Sequence, residues 1–223
     1  MIDNLSMKIF FSVVVMLLFV LIISCSKKSA DIPEASKKQA LKAGHIVAKT
    51  STKELSGNLG RAISEGGVSH AIEFCNIEAI PITQNLSDSL GVDINRATHK
   101  PRNPANLADV EELRIINKWQ SQLASGEDIK PVLNKRKQHY EVYAPIRIGN
   151  TLCLQCHGER GSDITPKNVE LLSSLYQGDR ATGFKMGDVR GMWSIQMPVD
   201  SAKIAAILKT VEQEKNINNN RNR

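Results

Sequence analysis

Two cysteines and a histidine form the short motif Cys153-x-x-Cys156-His157, and these are the residues of the chain best placed to do chemistry. Two thiols at this spacing can each add to one vinyl group of the same porphyrin. The histidine that follows is then positioned to ligate the iron. The motif therefore predicts one covalent c-type haem, held by Cys153 and Cys156 and ligated by His157.

Three other uses of a Cys-x-x-Cys pair fit this sequence less well. A structural zinc site needs four Cys or His ligands, usually as two such pairs, and the chain has no second pair. A thioredoxin-like redox pair normally opens a helix after a strand, and no such pattern precedes the motif. A disulfide between cysteines this close forms only with strain.

The N-terminus is typical of an exported protein. Lys8 precedes a run over residues 9–23 that is apolar except for Ser12. The run is short for a membrane span and suits the core of a signal peptide. The run ends at Cys25 in a segment that resembles a bacterial lipoprotein signal, where the cysteine is lipidated and becomes the first mature residue. We therefore predict a signal peptide over 1–24 and a tether over 25–33; the alternative is an uncleaved anchor helix.

Both interpretations of the N-terminus place the rest of the chain outside the cytoplasmic membrane. We expect a protein of the bacterial cell envelope, facing the periplasm or anchored in the outer membrane, and bound to the membrane through its N-terminal lipid. Bacterial c-type haem is attached on that side, so the two motifs agree. The formal charge of +6 is spread along the chain and is typical of a solvated surface, so we expect no nucleic-acid partner.

The cysteine count leaves one thiol without a use. Lipid accounts for Cys25, and thioethers account for Cys153 and Cys156, so Cys75 stands alone in an oxidising compartment. Such a cysteine either pairs with another molecule or has a protected role. The simpler alternative is a small buried hydrophobic side chain.

Apolar spacing predicts helices in the first part of the chain and strands later. A helix from Glu34 is expected to stop at Gly66-Gly67, and a second one, with Cys75 on its apolar face, is expected to end or restart at Pro81. Further predicted elements are a strand over 92–98, a helix from about Asp109, strands over 138–148 and 192–199, a helix over 201–214 and a polar tail over 216–223. The fold class is α+β, with one domain over 34–215.

Several short motifs carry a family resemblance. They are the helix cysteine Cys75 before Pro81, the loop from Arg96 through Arg102-Asn103-Pro104 to Asn106, the Cys153–Gly158 motif, Gly178-Asp179 with Gly183-Phe184, and Gly187–Gly191 before Trp193. Over residues 40–198 the chain resembles exported c-type haem proteins with a PAS-like domain, often described as a domain of unknown function. It departs from their pattern at Phe184, where tyrosine is usual, and around Thr98-His99.

The resemblance implies a PAS-like antiparallel sheet that holds the haem, with N-terminal helices packed over it. It also implies an unusual axial pair, His157 and Cys75. Guanidinium groups bind carboxylates in a forked geometry, so Arg96, Arg102 and Arg190 are candidate contacts of the haem propionates.

Other side chains compete with Cys75 as the second axial ligand. Two methionines follow the strand pattern and are expected in the core, while the histidines stand in polar surroundings. The competitors are Met186, Met192, Met197, His45, His70, His99 and His139.

These observations predict a monohaem cytochrome that transfers single electrons or sets redox poise, and not an enzyme, because both axial positions would be filled. The alternative is a redox or gas sensor that works through a partner protein. A peroxidase-like enzyme needs an open face with a His or Arg over the iron, for which His99 with Arg96 or Arg102 is the one candidate cluster. The redox or signalling partner is not indicated by the sequence.

Overall fold

The computed structural model describes residues 34–221; the predicted signal peptide, the tether and Cys25 lie outside the described residues. The elements are α1 (Glu34–Leu90), β1 (Asp93–Ala97), a 3₁₀ turn (Pro104–Asn106), α2 (Val110–Ala124), β2 (Val132–Lys135), β3 (His139–Arg147), α3 (Thr151–His157), α4 (Pro166–Leu175), β4 (Val189–Pro198) and α5 (Ser201–Arg221). In this part of the chain, none of the helices combines the length and apolar character needed to cross a bilayer.

Within residues 34–221 four strands form one antiparallel sheet in the order β1-β4-β3-β2. Neighbouring side chains of a strand point to opposite faces. On β3, Val142 lies against the backbone of Gly44 in α1, while Tyr143 belongs to the core cluster that contains Ile116 and Trp119 of α2. Helices α1 and α2 therefore cover opposite faces, and the predicted α+β class with an antiparallel sheet is confirmed.

Helix α1 is two helical segments joined at a kink. Gly67 has φ +74° and ψ −170°, a backbone conformation that only glycine adopts without strain, so the predicted break at Gly66-Gly67 is confirmed. The prediction that Pro81 ends or restarts the helix is wrong, because α1 continues through it to Leu90. Pro81 is exposed, so water can bond the carbonyl that its missing N–H leaves without a partner.

One strand was not predicted, and two element boundaries differ clearly from the sequence prediction. Strand β2 was not predicted, and none of its four residues is buried, so it has no alternating apolar signal. Strand β4 begins at Val189 instead of Met192. Helix α5 extends to Arg221, past the predicted end at Glu214.

Candidate functional site

A cavity of about 300 Å³ brings together side chains from α1, β1, α3 and β4. Each site residue that the sequence predicted within residues 34–221 lines it. These are the motif residues Cys153, Cys156 and His157, the helix cysteine Cys75, and the arginines Arg96, Arg102 and Arg190. Residues up to 115 positions apart in the chain therefore share one site.

The imidazole of His157 is held in one tautomer. Its Nδ1 donates a hydrogen bond to the carbonyl oxygen of Ala181, at 2.9 Å. Because a carbonyl only accepts, Nδ1 carries the proton and Nε2 keeps its lone pair. Burial, with the charges of Arg190 and Arg102, holds the pKa of His157 well below its ordinary value. The ring is therefore neutral at pH 7 and can ligate a metal through Nε2.

The carbonyl that orients His157 is itself fixed by a charged pair. Asp179 Oδ1 accepts a hydrogen bond from the backbone N–H of Ala181, at 2.8 Å. Arg102 forms an ion pair with the same carboxylate oxygen at 3.3 Å and donates to the carbonyl oxygen of Cys156 at 2.6 Å. Both side chains of the pair are largely buried, with 13% and 2% exposed. The pair therefore ties the end of the haem motif to the segment that positions its histidine.

Cys75 reaches the cavity from the second segment of α1. This segment is fixed by Ile72, which packs with Ile164 and Leu172, and by Ser69, which donates to Asn168 Oδ1 at 2.8 Å. Burial raises the pKa of the Cys75 thiol, although the charges of Arg96 and Arg102 act to lower it. The thiol is therefore neutral at pH 7, and a metal is needed to hold it as a thiolate.

The motif cysteines stand on α3, which begins at an N-cap residue, Asn150. Its side-chain oxygen accepts from the backbone N–H of Cys153 at 3.3 Å. Burial raises the pKa of Cys156 to about 11. In the described part of the chain Cys75, Cys153 and Cys156 are free thiols, and no group of three or more His, Cys, Asp or Glu side chains is arranged to hold a bare metal ion.

The arginines give the cavity an excess of positive charge. Arg96 donates to the carbonyl oxygen of Ala79 at 3.1 Å, and Arg190 donates to Thr98 Oγ1 at 2.9 Å. Within residues 34–213 neither guanidinium has a carboxylate partner, and Arg190 Nε is buried with no hydrogen-bond partner. Burial, followed by repulsion from Arg102 and Arg96, lowers the pKa of Arg190 to about 9.

Buried cations without a counter-charge indicate that an anionic group belongs beside them. Three features of this cavity fit a haem. Two thiols could bond its two vinyl groups, a neutral imidazole could ligate its iron, and the unpaired guanidinium groups could bind its propionates. Arg102 is already paired with Asp179, so Arg96 and Arg190 are the stronger candidates for propionate contacts. Their role as contacts stays a prediction.

The competing axial ligands, all within the described residues, do not line this cavity. Met192 and Met197 are fully buried in the core, as the strand pattern predicted. His99 lies in a different cavity, apart from Arg96 and Arg102, so the candidate peroxidase-like cluster is not assembled.

Sequence reasoning missed two kinds of residue. Tyr176 and Trp193 line the cavity, but nothing in their local sequence separates them from ordinary core aromatics. Asp179 stands in the quoted Gly178-Asp179 motif, yet its link to Arg102 spans 77 positions. No local pattern could have shown that contact.

Comparison with known proteins gave two matches. A family model described as Tll0287-like matches residues 27–198. The crystal structure of the cyanobacterial haem protein Tll0287 superposes with a TM-score of 0.51 at 19% sequence identity, over 74% of this chain and 96% of that one. No curated protein matches the chain. At this identity the structural match establishes the shared fold.

Proposed function

The chain belongs to the Tll0287-like family, and from that premise we propose that it is a monohaem c-type cytochrome of the bacterial cell envelope. One observation carries the proposal: Cys153, Cys156, His157 and Cys75 line a single cavity. When bound, the haem supplies a one-electron Fe(III)/Fe(II) couple.

Each side chain then has a defined task. Cys153 and Cys156 would attach the porphyrin, and His157, fixed through Ala181, would offer Nε2 to the iron. Cys75 would hold the iron as a thiolate, an anion that stabilises ferric iron and lowers the reduction potential. With the iron held by both His157 and Cys75, single-electron transfer or redox poise would be the function that fits.

The setting of the proposed cytochrome follows from its N-terminus. Lipidation at Cys25 would tether a PAS-like domain to the membrane, and the domain would face the periplasm or the outer-membrane surface. Electrons would be exchanged with a protein partner in the same compartment.

The test is a pair of absorption spectra, ferric and ferrous, of the full-length protein expressed in a bacterial host that matures c-type cytochromes. The Cys75→Ala variant is measured beside Glu73→Ala, a matched control at an exposed position in the same turn of α1. We expect one haem that stays attached on a denaturing gel. The ferric thiolate signature should vanish in Cys75→Ala and persist in Glu73→Ala.

Two outcomes would contradict the proposal at different points. Absence of covalent haem overturns the cytochrome itself. An unchanged spectrum in Cys75→Ala overturns only the axial pair and makes Cys75 a core residue.

A further inference from the structure

A second cavity, of about 550 Å³, lies between the C-terminal end of α2 and the loop 183–188. Phe184 lines it and also contacts the first site. The Phe184 ring stands edge-on to His99 of the second cavity, with centroids 5.9 Å apart, and edge-on to His157, with centroids 6.3 Å apart. We call this second cavity the His99 cleft.

Two cations of the His99 cleft have no ionic partner. Lys100 and Arg147 line it, Arg147 lines the first cavity as well, and neither forms an ion pair within residues 34–213. Lys100 Nζ donates to the carbonyl oxygen of Thr182, and Arg147 Nε donates to that of Gly187 at 3.0 Å. Lysine has three donors and arginine has five, so each keeps donors for a ligand.

The carboxylate within the cleft does not neutralise these cations. Asp188 accepts a hydrogen bond from the backbone N–H of Lys185 at 2.7 Å and makes no ion pair in the described part of the chain. At His99, burial and the charges of Lys100, Arg190 and Arg180 lower the pKa, and Asp188 opposes them. The net field in the cleft is therefore positive.

Polar and apolar groups meet in the same cleft. His99 Nδ1 is buried with no hydrogen-bond partner, while its Nε2 lies 3.2 Å from the side-chain nitrogen of Gln120. The half-exposed Met186 and the partly exposed Leu123 provide apolar surface, whereas Phe184 is only 4% exposed. A ligand that fits all of these carries an anionic end and an apolar body.

We propose that the His99 cleft binds a small organic carboxylate, with the anionic end bonded by Lys100 and Arg147 and the apolar body against Leu123 and Met186. This site goes beyond the proposed cytochrome function, because its residues bind the carboxylate whether or not the neighbouring cavity transfers electrons.

The experiment is calorimetric titration of the full-length holoprotein with benzoate, at constant ionic strength. Benzamide has the same shape without the charge and serves as the matched ligand. We expect saturable binding of benzoate and at least about tenfold weaker binding of benzamide, because hydrogen bonds to charged groups are the strong ones. Lys100→Gln and Arg147→Gln should each weaken benzoate binding about tenfold. Lys49→Gln, which removes one exposed charge from α1, should leave it unchanged.

Three results would overturn this site: no binding of benzoate, equal binding of benzoate and benzamide, or equal benzoate affinity in Lys100→Gln and Lys49→Gln. The first two are measured on the unaltered protein, so they stand even if a variant misfolds. The haem spectrum of the same samples reports separately on the cytochrome proposal.

Discussion

The two cavities share one lining residue, Arg147, and use positive charge in different ways. In the first, Arg190 is largely buried and forms no ion pair within residues 34–213, and a buried cation is costly unless an anion stays beside it. In the His99 cleft, Arg147 is solvent-exposed, and water solvates it when no ligand is bound. Burial therefore favours a permanent occupant in one cavity and an exchangeable one in the other.

The largest effect is expected from variants that cannot hold the permanent occupant of the first cavity, the proposed haem. The double variant Cys153→Ser, Cys156→Ser has no thiol to form either thioether, so we expect no haem on the protein after denaturation. Lys100→Gln, which alters only the cleft, should keep its full complement of haem. Haem staining of denaturing gels, with the pyridine haemochrome spectrum, measures both.

Haem that survives denaturation in the double serine variant would contradict the attachment sites. Loss of haem in Lys100→Gln would break the distinction between the cavities, because the cleft would then be part of the haem site.

A backbone contact in the wall of the first cavity provides the next test. A Cβ on Gly191 would lie 2.4 Å from the carbonyl oxygen of Ala97, so Gly191→Ala must push β1 away from β4. We expect the free energy of unfolding to fall by about 1–3 kcal/mol. The matched control is Gly57→Ala, where a Cβ meets no atom within 4 Å and helix propensity should add about 0.5–1 kcal/mol. Urea unfolding measures both changes, and equal effects would contradict the close approach.

Sequence could predict the first cavity far better than the second. The spacing of Cys153, Cys156 and His157 is the one that covalent attachment of a porphyrin requires, so the predicted motif is readable within five residues. Cys75 stood out because the predicted export left one cysteine without a use, and the family resemblance implied its role as a ligand. The His99 cleft joins Lys100, Arg147 and Phe184 from segments far apart in the chain, and no local pattern links them.

Some elements of the fold could likewise be predicted from the sequence, and others could not. The break at Gly67 follows from a conformation that only glycine adopts easily. The sheet face of β3 follows from apolar residues at every second position from Tyr140 to Ala144, although Tyr143 on the opposite face is buried as well. Strand β2 forms because it pairs with β3, and its own residues carry no burial pattern that would predict it. The continuation of α1 past Pro81 depends on solvent exposure, which a single sequence does not display.

A moderate effect is expected from the buried charge beside the first cavity. Arg190→Gln removes a cation near the iron site, so ferric iron becomes relatively more stable and the reduction potential should fall. A lost interaction of about 1.4 kcal/mol corresponds to about 59 mV for one electron. Lys49→Gln removes the same charge at an exposed position and should shift the potential little, because solvent screens it. Spectroelectrochemical titration measures the midpoint, and a rise in Arg190→Gln would contradict a role for its charge.

The smallest effect is expected at a carboxylate remote from both cavities. Glu111 accepts hydrogen bonds from Arg114 at 2.6 and 2.8 Å and from Asn134 at 2.6 Å. These bonds lower the pKa of Glu111 from 4.5 to about 2. A carboxylate whose pKa is lower in the folded state stabilises the fold above its unfolded pKa and loses that contribution as pH falls through its folded pKa.

Replacement of this carboxylate should therefore show a pH-dependent cost. Because Arg114 is mostly exposed, we expect Glu111→Gln to lower the free energy of unfolding at pH 7 by less than about 1 kcal/mol. The difference from the unaltered protein should shrink as pH falls from about 4.5 toward 2. Urea unfolding across this range measures the difference, with Glu73→Gln, which removes an exposed carboxylate from α1, as the matched control. A change in the haem spectrum or in benzoate affinity in Glu111→Gln would mean that both cavities respond to the charge of the whole surface. The contrast between a buried and a solvated cation would then no longer explain why one occupant is permanent and the other exchangeable.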